Sequence, residues 1–303
     1  MRGIDQAKYG FATVWLNMLS AIYILDCLII AQRCFAKGIA NSARIVRRIQ
    51  THVFLPSEMS EAFLIDLHCH LLPGIDDGAK DIGMSLEMAR IFVADGVTHL
   101  ACTPHITPGV WANSGPQIRA DIAKLQSALD AEGIELTLYS GADNHMVPNF
   151  VAGLREGRLL TLADSRYVLV EPPHHVAPPR LEDFFFGIRM AGYVPILTHP
   201  ERLSWIEGQY DTVQRLVAGG VWMQVTASSL TGRFGKRVRA LAVRMLSDGL
   251  VHILATDAHD PERRPPDLSE GWKVAAEYVG QDEAERLVLH RPFAILKDEL
   301  IAA

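Results

Sequence analysis

From Met59 onward the chain alternates between two hydrophobic patterns. Seven apolar runs of strand length follow one another: Phe63–Leu67, Val97–Cys102, Ile134–Tyr139, Tyr167–Val170, Val194–Leu197, Val221–Val225 and Val251–Ala255. Between them lie segments with apolar residues at i, i+3, i+4 and i+7, the spacing of one helix face. Met84–Ala94 (MSLEMARIFVA) is the clearest, and Ile118–Leu129, Leu181–Met190, Tyr210–Ala218 and Val238–Leu246 read similarly. Gly96, Gly133, Gly192, Gly220 and Gly249 sit just past these helices, where a left-handed cap favours glycine. Strand-then-helix repeated seven times predicts an α/β fold with a parallel sheet or barrel.

In such barrels the chemistry lies at the C-terminal ends of the strands. The first run delivers His68 and His70, which point to the same side of an extended segment, with Cys69 turned away. Pro73 and Gly74 turn the chain, and Asp76 and Asp77 follow. The later runs end in Thr103-Pro104-His105, in Gly141-Ala142-Asp143, in Glu171, in Thr198-His199-Pro200-Glu201-Arg202, in Thr226, and in Thr256-Asp257-Ala258-His259. Six of the seven strands thus present His, Asp or Glu at one end of the fold. A lone His-x-His can simply cap a strand; this repetition predicts a metal site. The donors His68, His70, Asp77, His105, Asp143, Glu171, His199, Asp257 and His259 exceed the needs of one ion, so two or three are expected. Neighbouring divalent ions suit phosphate chemistry. Arg202 and Arg264 would add positive charge beside a phosphate, surface ion pairing being the plainer alternative.

Composition narrows the field. The chain has 303 residues, 49% hydrophobic and 21% charged, enough for one large domain or two small ones. A net charge of -6 gives no sign of a nucleic-acid-binding face. Four cysteines, Cys27, Cys34, Cys69 and Cys102, form no CxxC pair and fit a reducing, cytoplasmic setting. Cys27 to Arg33 matches the C-x5-R spacing of a thiolate phosphatase. The residues between them, Leu-Ile-Ile-Ala-Gln, belong to an apolar segment that reads as a helix, not as the turn of bared amides a phosphate needs. No GxxxxGK[ST] loop is present.

Residues 1–58 differ from the rest. Phe11–Ala31 is apolar and long enough to cross a bilayer as a helix, although Asn17 and Asp26 interrupt it. Arg33, Lys37, Arg44, Arg47 and Arg48 follow it, so a span would leave residues 59–303 on the inner face of the membrane. Three readings stay open: an anchor through residues 11–31, a helix packed on the domain or on a partner, and translation from Met59 rather than Met1.

The stretches IDLHCHLLPGIDDGAKD, ACTPHITPGVW, LVEPPHH, PILTHPERL, QVTASSL and LATDAHDPERRPPDL together resemble the PHP superfamily. Within it they are similar to the bacterial CpsB/CapC tyrosine-protein phosphatases of capsule and exopolysaccharide synthesis. The resemblance implies a distorted seven-stranded (β/α)7 barrel over residues 59–303, preceded here by a helical extension, with manganese as the usual ion. It implies one ion on His68, His70 and Asp257, bridged by Asp143 to a second on Glu171 and His199. A third would lie on Asp77, His105 and His259. Arg202 and Arg264 fall on phosphate-contacting positions. It further implies in-line attack by a metal-bound hydroxide on phosphotyrosine, the substrate being a bacterial tyrosine autokinase of polysaccharide export, and self-association into homo-oligomers. One departure is Asp143, where the family usually has glutamate; aspartate is shorter by roughly 1.5 Å. A small-molecule phosphatase such as histidinol phosphatase, and a weakly catalytic metal-binding scaffold, are the alternatives.

Overall fold

A computed structural model describes residues 63–301. The apolar segment Phe11–Ala31, the remainder of the 1–58 extension and the choice between Met1 and Met59 lie outside the described residues. Among the described residues no helix is long and apolar enough to cross a membrane.

The strands are β1 (Leu64–Cys69), β2 (Val97–Cys102), β3 (His105–Ile106), β4 (Thr137–Ser140), β5 (Asp143–His145), β6 (Tyr167–Glu171), β7 (Val194–Thr198), β8 (Trp222–Thr226) and β9 (Ile253–Ala255). All pair in parallel, in the orders β1-β2-β4 and β3-β5-β6-β7-β8-β9. Crossover helices include α1 (Ile82–Ala94), α2 (Gly115–Ala131), α3 (Phe150–Arg155), α4 (Leu181–Met190), α5 (Tyr210–Ala218), α6 (Ala227–Thr231) and α7 (Lys236–Ser247). The five glycines expected after helices all adopt positive φ. β1, β6 and β8 are buried along their whole length, as a sheet covered on both faces requires.

The expectation of seven continuous strands needs correction: the sheet contains nine segments. The second and third predicted strands each break for two residues and resume as β3 and β5. Thr103 turns its N–H onto the Cys69 carbonyl (2.9 Å), and its hydroxyl accepts from the Cys69 N–H (2.9 Å). Pro104 has no N–H to continue a ladder. Gly141 lets the adjacent break nest against the first, because a Cβ there would lie 2.9 Å from the Thr103 methyl.

The curled sheet returns to β1 through a seam of backbone bonds backed by one buried side chain. Cys69 bridges Ala258, His70 N–H donates to the Ala258 carbonyl (2.9 Å), and Asp257 N–H donates to the His68 carbonyl (2.8 Å). Below them the buried Asp66 carboxylate accepts the hydroxyl and N–H of Thr256 and the His68 N–H (3.1 Å). Burial pushes the Asp66 carboxyl up to about 7 despite those donors. Asp66 lies within the first apolar run, and it fastens β1 to the residues after β9.

Candidate metal centre

β1 brings His68 and His70 to the barrel mouth, both fully buried, with the Cys69 sulfur turned onto the Ala101 carbonyl (3.6 Å). Each imidazole is fixed through Nδ1. His68 Nδ1–H donates to Gln224 Oε1 (2.9 Å), and His70 Nδ1–H to Asp76 Oδ2 (2.7 Å). Both Nε2 atoms are buried without a hydrogen-bond partner, and each stands 3.3 Å from Asp257 Oδ1. Asp257 Oδ2 faces the other way and accepts from both Arg202 and Arg264. Burial opposes ionisation of Asp257, but Arg264, His68 and Arg202 hold it well below the usual carboxylate range. The arginines therefore make partly buried pairs at the site, not the surface pairs of the plainer reading.

Asp143 lies at the centre. It is fully buried, and its Oδ2 is 3.6 Å from His68 Nε2, 3.6 Å from His105 Nδ1 and 3.7 Å from His199 Nε2. Neither oxygen has a hydrogen-bond donor. Burial, reinforced by Glu171, pushes its carboxyl well up. A buried carboxylate without donors costs several kcal/mol, roughly, unless a cation sits beside it.

The outer donors come from strand ends and from the loops beside them. Asp77 Oδ1 stands 3.5 Å from His105 Nε2 and 3.4 Å from His259 Nε2. His259 Nδ1 hydrogen-bonds the Asp257 carbonyl (2.9 Å). At the β6 end, Glu171 has Oε2 3.4 Å from His105 Nδ1 and 3.7 Å from His145 Nδ1, and Oε1 3.1 Å from His174 Nε2. Burial would raise Glu171, but the surrounding imidazoles hold it well below the usual carboxylate range. His199 and Asp257 both carry left-handed backbone, with φ of 35° and 52°, an unfavourable state for such residues that clusters at functional sites.

The donor chemistry fits divalent ions. Five overlapping sets place their donor atoms within 4.8 Å of one another: His68, His70 and Asp257; His68, Asp143 and His199; His105, Asp143 and Glu171; His70, Asp77, His105 and His259; and Glu171, His174 and His199. Burial pushes His68 down to about 3 and His199 well down, leaving neutral imidazoles with lone pairs to offer. All nine donors expected from the sequence, and both arginines, meet at this end. Sequence reasoning named Asp76 without giving it a role, and missed His174, His145, Asp66 and Gln224. A glutamine inside the fully buried β8 was one available signal.

Comparisons agree with this architecture. Residues 64–297 match the family described as capsular polysaccharide synthesis, CpsB/CapC. The tyrosine-protein phosphatase YwqE of Bacillus subtilis (strain 168) is 34% identical over 219 residues, 72% of this chain and 86% of the relative. The tyrosine-protein phosphatase CpsB of Streptococcus pneumoniae is 26% identical over 243 residues, 78% of this chain and all of the relative. A crystal structure from work on YwqE and CpsB of these two species, described as unique metal-dependent tyrosine phosphatases, superposes with a TM-score of 0.76. It shares 33% identity and covers 78% of this chain and 96% of its own. With a matched region that takes in every donor at the barrel mouth, this chain belongs to the CpsB/CapC family.

Proposed function

We propose that this chain is a metal-dependent protein-tyrosine phosphatase that uses manganese and acts on a bacterial tyrosine autokinase of polysaccharide export. The observation that carries the reading is the convergence of overlapping donor sets beside a carboxylate, Asp257, that also holds two arginines. YwqE and CpsB, its relatives, bear the name tyrosine-protein phosphatase. The two buried, unpaired thiols Cys69 and Cys102 suit a reducing cytoplasm.

His68, His70 and Asp257 would hold one ion, Asp77, His105 and His259 another, and Glu171 with His199 a third, with Asp143 between them. Divalent ions, when bound, lower the pKa of water and neutralise charge on phosphoryl oxygens. The chain's own residues position the ester. Arg202 is oriented by Asp257 and by the Phe234 ring 4.6 Å from its guanidinium carbon. Arg264 keeps a buried Nε–H without an acceptor, a donor available to a phosphate oxygen. Gln224 and Asp76 fix which nitrogen of His68 and of His70 faces the centre. Among the described residues both thiols, Cys69 and Cys102, are buried away from the centre, so no phospho-enzyme through either sulfur is called for.

The test is turnover of a phosphotyrosine peptide and of histidinol phosphate by the full chain, with manganese and with chelator, alongside His70→Ala. Chelator-sensitive, vanadate-tolerant release from the peptide, lost in His70→Ala, is expected. Preference for histidinol phosphate, or bound manganese without turnover, would overturn the reading.

A further inference from the structure

The geometry points to His174 as a metal ligand, the third donor beside Glu171 and His199. The inference rests on the metal-dependent reading above and adds a residue to it. His174 Nε2 is 3.1 Å from Glu171 Oε1, and its ring centroid is 5.0 Å from that of His199. The donor atoms of these three residues lie within 4.8 Å of one another. Asp143, the shorter carboxylate, converges with His68 and His199 and separately with His105 and Glu171. Among the described residues, the set that contains both Glu171 and His199 is completed by His174.

The loop that carries His174 is held for this task. Ser204 donates its N–H (2.9 Å) and hydroxyl (3.1 Å) to the His174 carbonyl, and the Trp205 indole N–H donates to the Pro173 carbonyl (2.9 Å). Pro172 and Pro173 restrict φ just before it. The loop is thereby tied to the segment just after Arg202. His174 sits at the solvent side of the centre, partly exposed, while Glu171 and His199 are buried beneath it. Three protein donors would leave an ion room for water or substrate, as a catalytic site requires. His175, the next residue, is exposed and belongs to none of the donor sets.

The experiment is calorimetric titration of the metal-free full chain with manganese, with bound metal counted by elemental analysis. The variants are His174→Ala, His174→Gln and His175→Ala. We expect His174→Ala and His174→Gln to lose one ion per chain, or to bind one ion at least about tenfold more weakly. His175→Ala should superpose on the parent chain. Unchanged isotherms for both His174 variants would overturn the assignment. If the alanine variant fails to fold by circular dichroism, the glutamine variant carries the same test. Loss of one ion in a protein that turns over no phosphotyrosine peptide would retire the proposed activity and leave the ligand standing.

Discussion

The inner and outer donors of the centre are held in different ways. His68, His70 and Asp257 are at most 2% exposed, and each has a second partner behind it: Gln224, Asp76 and the arginine pair. Asp77 is 48% exposed, and among the described residues only the imidazoles of His105 and His259 stand within ion-pair reach of it. Both sets converge, but the inner carboxylate is held by two arginines, whereas the outer one faces only the imidazoles that would share its ion. Tight inner binding and a weaker, exchangeable outer ion follow from that contrast.

The largest effect should come from Asp257→Asn. It neutralises the carboxylate that faces two imidazoles and leaves two arginines without their counter-charge. Turnover of a phosphotyrosine peptide should fall by ~10³-fold or more, since several kcal/mol of charge stabilisation is lost. The metal-free protein should also melt earlier, because one side of a buried pair costs roughly 3 kcal/mol. An Asp257→Asn protein with near-normal turnover would break the distinction outright.

Gln224→Leu is a smaller change to the same inner set. It frees His68 to rotate or to carry its proton on the other nitrogen. Manganese affinity should drop about 10–100-fold with the fold intact, read by calorimetry. For the outer set, Asp77→Asn should cost less than about tenfold in turnover at saturating manganese, with a raised manganese requirement. A loss that excess metal does not restore would place Asp77 in the inner class.

The smallest effect on activity should come from His252, far from both sets at the entry to β9. Its ring stacks on Trp222 (5.0 Å), its Nδ1 accepts the Met223 N–H (3.1 Å), and burial with Arg291 nearby pushes it down to about 4. The folded state therefore keeps His252 neutral. Its contribution to stability is complete above the ordinary histidine value near 6.5. It is lost as pH falls from there to about 4, then levels off, amounting to at most about 3 kcal/mol. Denaturation of metal-free protein at about pH 7 and about pH 4.5 should show His252→Gln losing less stability than the parent, with turnover at neutral pH unchanged.

Much of this was legible because parallel strands buried on both faces read as continuous apolar runs. Residues at their C-terminal ends then stand out as polar. The helix spans Leu181–Met190 and Tyr210–Ala218 follow directly from spacing. Other features depend on neighbours distant in sequence. β4 starts at Thr137 rather than Ile134, because Ile134 N–H still bonds the Leu129 carbonyl in the turn leaving α2. The breaks at residues 103–104 and 141–142 exist because Thr103 and Gly141 fit each other. Asp66 went unremarked inside an apolar run, although a charge there asks for a partner, and Thr256 is that partner. Asp76 and Gln224 resemble ordinary polar residues until the imidazoles they hold are in place.

Cys69 stands between the two inner histidines and turns its sulfur from them onto Ala101, while Cys102, its neighbour in register, is equally sealed. Enzymes that dephosphorylate tyrosine through a thiolate stop working when peroxide oxidises that sulfur. Among the described residues here, no accessible sulfur lies on the reaction path. Peroxide that stops a thiolate enzyme at its nucleophile finds no such target at this barrel mouth, so oxidation of Cys69 or Cys102 would have to act through the packing of β1 on β2.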